Sequence, residues 1–175
     1  MEIMSPSPFV AEWAARLPRA SVQPRALDVA MGRGRHAVVL ARAGFKTFGV
    51  DVRRDAVGDA VRTASAQGLS VHGWCADLTQ TPLPRARFDA IVVTRYLQRD
   101  LFPALREALV PGAAIVYETF TVAQRALGRG PTSPDHLLEL GELRERFEGL
   151  EVLFYEEVSA PEAVARIVAR RLLNR

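Results

Sequence analysis

Cysteine and lysine are nearly missing from this chain: its 175 residues include a single Cys, Cys75, and Lys46 is the only lysine. One cysteine excludes an internal disulfide and a multi-cysteine zinc centre, so no oxidising compartment is needed and the cytoplasm is the expected location. No cluster of His and acidic residues has metal-ligand spacing, so no metal is expected. No apolar run approaches the roughly 20 residues that span a bilayer, and residues 1–8 have neither the basic flank nor the apolar stretch of a signal peptide. Membrane insertion and secretion are both disfavoured. Internal repeats and low-complexity tracts are absent too, which sets aside solenoids and propellers.

Charge of one sign is also scarce, with a formal net of +3. The arginines are spread along the chain, and no basic run exceeds Arg53-Arg54 or Arg170-Arg171. That leaves no basic stripe for a nucleic-acid partner. What is present, 49% hydrophobic and 25% charged residues, is the composition of an ordinary globular domain. A chain of this length buries roughly 70% of its unfolded surface, enough for one full core, so residues 1–175 are expected to form one domain. No apolar stripe stands out beyond what the core needs, which leaves monomer and homodimer both open.

Strand-like and helix-like segments alternate. Residues 8–17 place Phe9, Val10, Trp13, Ala14 and Leu17 at helical spacing before Pro18. Strands are expected at 25–30, 45–51, 69–76, 88–94 and 113–119, and helices at 36–42, 55–67 and 101–110, stopped by Gly44, Gly68 and Pro111-Gly112. This pitch argues for an α/β fold with a parallel sheet covered by helices on both faces. Residues 121–134, rich in Gly, Pro and polar side chains, read as a long functional or mobile loop. A helix is expected at 139–147, and strands at 150–158 and 163–172. The link at 159–162 is short enough to require an antiparallel pair, although 163–172 also has helical propensity.

The chemistry concentrates at strand ends. Gly32 and Gly34 follow the first strand and permit a tight turn with close backbone approach, and the next helix offers unpaired N–H groups to a polar ligand. Asp51 closes the second strand, where its carboxylate can accept from adjacent ribose hydroxyls. Asp77 follows the third, where it can accept from an adenine amine lying between Val52 and Leu78. Acids at the ends of three successive strands describe a nucleoside site, although any one of them alone reads equally well as a solvated or capping Asp.

Taken in order, Asp28-x-Ala30-x-Gly32-x-Gly34-Arg35-His36, Val50-Asp51, Ala76-Asp77-Leu78, Phe88-Asp89-Ala90-Ile91 and Pro111-Gly112 resemble the class I S-adenosylmethionine-dependent methyltransferases. The likeness is strongest to the small bacterial type that includes the tellurite-resistance methyltransferases. The resemblance implies a Rossmann-like, seven-stranded, mostly parallel sheet with an antiparallel last strand. It also implies S-adenosylmethionine as cofactor, held by Asp28, Ala30, Gly32, Gly34, Arg35, Asp51, Val52, Asp77, Leu78 and Thr94. Ala30 departs from the glycine many members carry and should narrow the turn slightly.

Such a cofactor brings an activated methyl group, so the protein has mainly to align a small acceptor for in-line displacement. Residues 94–98, Thr-Arg-Tyr-Leu-Gln, lack the Asn/Asp-Pro-Pro-aromatic run of the DNA-amino-methylating members, which argues against a base nitrogen as acceptor. Tyr96 is the candidate aromatic face for the sulfonium or acceptor, or else a core aromatic. Glu118 and His136 are the candidate bases, with an Arg-paired Glu and a solvent-facing His as the alternatives. His36 reads as structural or adjacent to the cofactor. Arg95, Arg99, Arg125 and Arg129 on the expected rim point to an anionic substrate, unless they are simply exposed. The loop at 121–134 is expected to close over the substrate on Gly128 and Gly130, with Phe9 and Trp13 as a further wall. Two other functions stay open: a nicotinamide-dependent oxidoreductase, because Gly32-x-Gly34-x-x-Ala37 also fits the dinucleotide fingerprint, and a non-catalytic RNA-binding or regulatory protein.

Overall fold

In the computed structural model, which describes residues 5–173, the chain runs α1 (Pro8–Ala14), β1 (Arg25–Val29), α2 (Arg35–Arg42), β2 (Lys46–Asp51), α3 (Arg54–Ser65), β3 (Val71–Cys75) and β4 (Phe88–Thr94). It continues through α4 (Phe102–Ala108), β5 (Leu109–Phe120), α5 (Glu142–Arg146), β6 (Glu151–Val158) and β7 (Val164–Arg170). Residues 1–4 of the N-terminal stretch read above for a leader lie outside the described residues. No helix among the described residues is long and apolar enough to cross a membrane.

The seven strands form one sheet in the order β3-β2-β1-β4-β5-β7-β6. β1 to β5 pair in parallel, and β7 lies antiparallel between β5 and β6. This is the Rossmann-like mixed sheet that the resemblance implied. The central strands are apolar throughout because both faces are covered; every residue of β4 is buried. Small side chains face α1 and α2: Ala26, Ala90, Val92, Ala114 and Val116 pack under Phe9, Val10, Ala14 and Leu40. Larger ones, Leu27, Val29, Ile91, Val93, Ile115 and Tyr117, face α4 and α5. There Phe102 stacks on Tyr117 with ring centroids 5.4 Å apart and meets Phe147 edge-on at 5.3 Å.

Several boundaries differ from expectation, three of them with structural consequences. The first helix stops at Ala14, with Leu17 buried in the turn beyond it. The helix expected at 139–147 shortens to Glu142–Arg146 after a left-handed Gly141. Pro111-Gly112, read as a turn before a strand, sits inside β5, which leaves α4 directly at Leu109. Leu109 pairs with Phe88 and Ala114 with Ala90, so residues 110–113 bulge opposite Asp89 while Gly112 donates to the Arg171 carbonyl.

The sheet order reverses direction between β1 and β4. Connections leave β1 to one side and β4 to the other, which opens a crevice at their carboxyl ends. The strand-end acids lie along that edge.

Candidate functional site

β1 runs into the turn Ala30-Met31-Gly32-Arg33-Gly34, which takes positive φ at Ala30 (52°), Gly32 (53°) and Gly34 (81°). Gly34 is obligatory on two grounds: its φ, and the fact that a Cβ there would stand 2.6 Å from Ala60 Cβ of α3. Gly32 is different, since nothing lies within 4 Å of the position its Cβ would take. That open side faces outward from the turn, where a ligand can approach the backbone.

Asp51 at the end of β2 is fixed by this turn. One carboxylate oxygen accepts from the Gly32 N–H at 2.8 Å and the other from the Arg53 N–H at 2.9 Å. Beside it opens a cavity of about 240 Å³ bordered by Ala30, Asp51, Val52, Asp77, Leu78 and Tyr96. Val52 is 64% exposed on this border. Asp77 accepts from the Thr79 hydroxyl at 2.7 Å and the Thr79 N–H at 2.9 Å. These two bonds, the hydroxyl's first, hold its carboxyl below the usual range and keep it ionised. Tyr96 donates to Gln98 Oε1 at 2.5 Å, and Gln98 donates in turn to the Leu78 carbonyl at 3.2 Å, so its ring is fastened to the cavity wall. Burial, reinforced by the charges of Asp77, Asp100 and Asp51, raises the Tyr96 pKa and keeps the phenol protonated.

Behind the turn, Asp28 is fully buried and neither oxygen has a hydrogen-bond partner. Burial pushes its pKa up to about 7. The Ala37 N–H and the Arg35 guanidinium pull in the opposite direction, though no bond of normal geometry reaches either oxygen. Thr94 turns its hydroxyl to His36 Nδ1 at 3.0 Å, away from the cavity border. Arg35 donates to the Ser5 carbonyl at 3.1 Å, and burial together with the neighbouring Arg95 lowers its pKa.

The expected acceptor side is arranged differently. Glu118, one candidate base, is buried at 8% exposure and ion-paired to Arg166, which also reaches Glu156 at 2.8 Å. His136, the other, is exposed in a single 3-10 turn, Pro134–His136, and does not border the cavity. The four rim arginines are engaged by protein groups. Arg95 holds Glu162 with two bonds of 2.8 and 3.0 Å, and Arg99 holds the nearly buried Glu142 at 2.7 and 2.9 Å. Arg125 donates to the Thr132 carbonyl at 3.0 Å, and Arg129 to that of Pro161. Nor is the loop at 121–134 free. Its first half is a 3-10 helix, Val122–Leu127, pinned by the buried Gln124, which accepts from the Ala163 N–H at 2.7 Å and donates to the Arg129 carbonyl at 2.9 Å.

The sequence reading thus brings together Ala30, Asp51, Val52, Asp77, Leu78 and Tyr96 around one cavity, with Gly32 and Gly34 beside it. Asp28, Arg35 and Thr94 stand behind or beside the turn. It did not find Gln98, Arg166 or Gln124, whose partners lie far off in sequence or in loops without periodic signal.

Residues 26–112 match the family described as "Methyltransferase domain". That span holds every residue of the cavity border and excludes Glu118 and His136. Over 110 residues the chain is 31% identical to a protein-L-isoaspartate O-methyltransferase of Gloeobacter violaceus, covering 62% of this chain and 54% of that one. The chain therefore spans about half the length of this curated relative. Among solved structures it superposes on TehB from Haemophilus influenzae with a TM-score of 0.74 and 17% identity, over 93% of this chain and 61% of that one. An S-adenosylmethionine-dependent methyltransferase from Mesorhizobium loti gives 0.72 and 22%, over 92% and 98%. At these identities the structural likeness is one of fold. Neither the family match nor the relatives named here favours the oxidoreductase or the RNA-binding alternative. Motif order, sheet order and family match agree: residues 26–112 are similar to a methyltransferase domain, and the sheet has the fold of the S-adenosylmethionine-dependent methyltransferase structures named above.

Proposed function

We propose that the chain is a single methyltransferase domain, residues 1–175, that methylates a small anionic acceptor at the carboxyl ends of β4 and β5. The observation that carries this reading is Asp51, fixed by the Gly32 and Arg53 N–H groups at the border of the cavity. Each of its oxygens holds one backbone donor and keeps a lone pair for one of two adjacent hydroxyls, which is what a ribose requires. The match to a methyltransferase domain makes S-adenosylmethionine the expected cofactor, and two further features fit it: the open side of Gly32 and the unpartnered buried carboxyl of Asp28. In this reading Asp51 takes the ribose, Asp77 the adenine amine between Val52 and Leu78, and Ala30, Gly32 and Gly34 the close backbone approach. Asp28, Arg35 and Thr94 support the turn from behind and beside it, toward the charged end. When bound, S-adenosylmethionine supplies a methyl group activated by its sulfonium for in-line displacement.

The protein's own task is alignment, which can contribute roughly 7–11 kcal/mol to lowering a barrier. Tyr96, fastened by Gln98, presents an aromatic face that attracts a cation by roughly 0.5–2 kcal/mol. An acceptor that arrives ionised needs no base, which suits a site where Glu118 is held by Arg166 and Tyr96 stays protonated. A carboxylate-type oxygen meets this condition, in keeping with the O-methyltransferase name of the Gloeobacter relative. Calorimetry with S-adenosylhomocysteine and with NAD tests the cofactor half, and binding of NAD alone would overturn it. Transfer from labelled methyl donor to a panel of small carboxylates and amines tests the acceptor half, and labelling confined to amines would overturn it.

A further inference from the structure

The chain ahead of α1 is tied to the glycine turn by two consecutive side chains. Arg35 donates to the Ser5 carbonyl at 3.1 Å. His36, 2% exposed, accepts the Ser7 N–H through Nε2 at 3.0 Å and meets Thr94 Oγ1 through Nδ1 at 3.0 Å. A backbone N–H can only donate, so the ring proton belongs on Nδ1 and is given to Thr94. Burial, with the cations of Arg35 and Arg95 nearby, pushes the His36 pKa down to about 3, and the imidazole is neutral at physiological pH. One ring therefore joins the start of α1, the first turn of α2 directly after Gly34, and the carboxyl end of β4.

Apart from the His36–Ser7 and Arg35–Ser5 bonds and the burial of Phe9 and Val10, the described residues give the start of α1 no other side-chain hydrogen bond. Ser7 precedes the helix without a side-chain cap, and its buried hydroxyl has no partner. Two residues on, Phe9 lies under the Arg166 guanidinium at 5.7 Å, and Arg166 holds Glu118 at the end of β5. Ser7 and the wall at Glu118 are thus joined through Phe9 and Arg166.

We propose that His36 is a positioning residue: by holding Ser7 against the cofactor turn, it makes the placement of α1, and with it the wall at the end of β5, depend on what the turn has bound. The proposal rests on the methyltransferase reading of the same site. Its test is hydrogen exchange across residues 7–14, with and without S-adenosylhomocysteine, in the wild-type protein, His36→Leu, Ser7→Pro and His36→Gln. Ser7 has φ −56°, which proline adopts, so Ser7→Pro removes the N–H without requiring a change of backbone conformation at that residue. In the wild type the ligand should slow exchange roughly tenfold, the worth of one secured hydrogen bond. In His36→Leu and Ser7→Pro the slowing should vanish while affinity for S-adenosylhomocysteine stays within about threefold. His36→Gln, with an amide oxygen for Ser7, should restore the slowing. Equal slowing in all variants, or none in ligand-bound wild type, would overturn the coupling. Failure of the wild type to bind S-adenosylhomocysteine would instead strike the methyltransferase reading, and equal exchange of ligand-free wild type and Ser7→Pro would then overturn the His36 latch by itself.

Discussion

Replacing Asp28 by asparagine should stabilise the ligand-free protein at pH 7.5 and leave it nearly unchanged at pH 4. The Asp28 carboxyl is fully buried, unpartnered, and raised from 3.8 to about 7. Between those two values the unfolded chain has released a proton that the folded chain retains, so rising pH favours unfolding across that window. Above about 7 the whole cost is present. A shift of about 3 units at 1.36 kcal/mol each amounts to about 4 kcal/mol. For a domain of this size that corresponds to a melting-temperature difference on the order of 10 °C. Asparagine keeps the shape and cannot ionise, and comparison at pH 4, where Asp28 is itself largely neutral, removes any effect of burying the amide. Calorimetric melts of both proteins at the two pH values give the required difference of differences. The same melting-temperature gap at pH 4 and pH 7.5 would refute the reasoning, because it would mean that the Asp28 charge is solvated or hydrogen-bonded in the folded protein.

Asp51→Ala should lower affinity for S-adenosylhomocysteine by about a hundredfold or more in calorimetry, since it removes an ionised acceptor for two hydroxyls. Glu142 is held at about 2, first by its hydrogen bonds from Arg99, and its side chain is only 9% exposed. Its contribution is complete above the unfolded value near 4.5 and is lost as pH falls toward 2. Glu142→Gln should therefore cost at most about 3 kcal/mol in urea unfolding at pH 7, less whatever solvent screens at the half-exposed arginines, and much less at pH 2. Gly34→Ala, which meets Ala60 and a left-handed backbone, should destabilise by roughly 2–4 kcal/mol, read as a lowered urea midpoint.

Most of the sheet could be read from the chain because its signals are local. Gly44 and Gly68 stop α2 and α3 where expected, and the apolar run of β4 is matched residue for residue. The short link between β6 and β7 required an antiparallel pair, and the structure has one. Nothing local says that β7 inserts between β5 and β6; that depends on the β5 face it covers. β5 began early for a related reason: Pro111 and Gly112 do break regular pairing, but Gly112 and Arg171 bond across to the end of β7 and carry the strand through the bulge. At the site the acids were legible by position and their partners were not. Glu118 finds Arg166 through the antiparallel register of β5 and β7, and Arg99 finds Glu142 across two loops. Gly and Pro content made 121–134 look mobile, while the buried Gln124 and the bonds of Arg125 and Arg129 tie it to the protein.

Ala30 and Met31 explain how the turn keeps its shape despite the departure from glycine. Alanine in the left-handed region at φ 52° costs roughly 1–2 kcal/mol relative to a relaxed backbone. The Met31 N–H donates to the Val50 carbonyl at 3.0 Å, and its side chain, 4% exposed, lies across Gly49 of β2 and Gly73 of β3, which pair in register. A Cβ on Gly49 would stand 2.0 Å from the Met31 sulfur, and one on Gly73 3.2 Å from its methyl. The two glycines therefore form a groove that exists only because both lack side chains. Burying a methionine there contributes roughly 1.5–3 kcal/mol, enough to offset the strain at Ala30. Gly49 lies two residues before Asp51, so the thioether that secures the turn also sets the strand carrying its acid. The 2.8 Å bond between Gly32 and Asp51 follows from that packing, and the ligand-facing backbone and the ribose-type acid are held as one rigid unit.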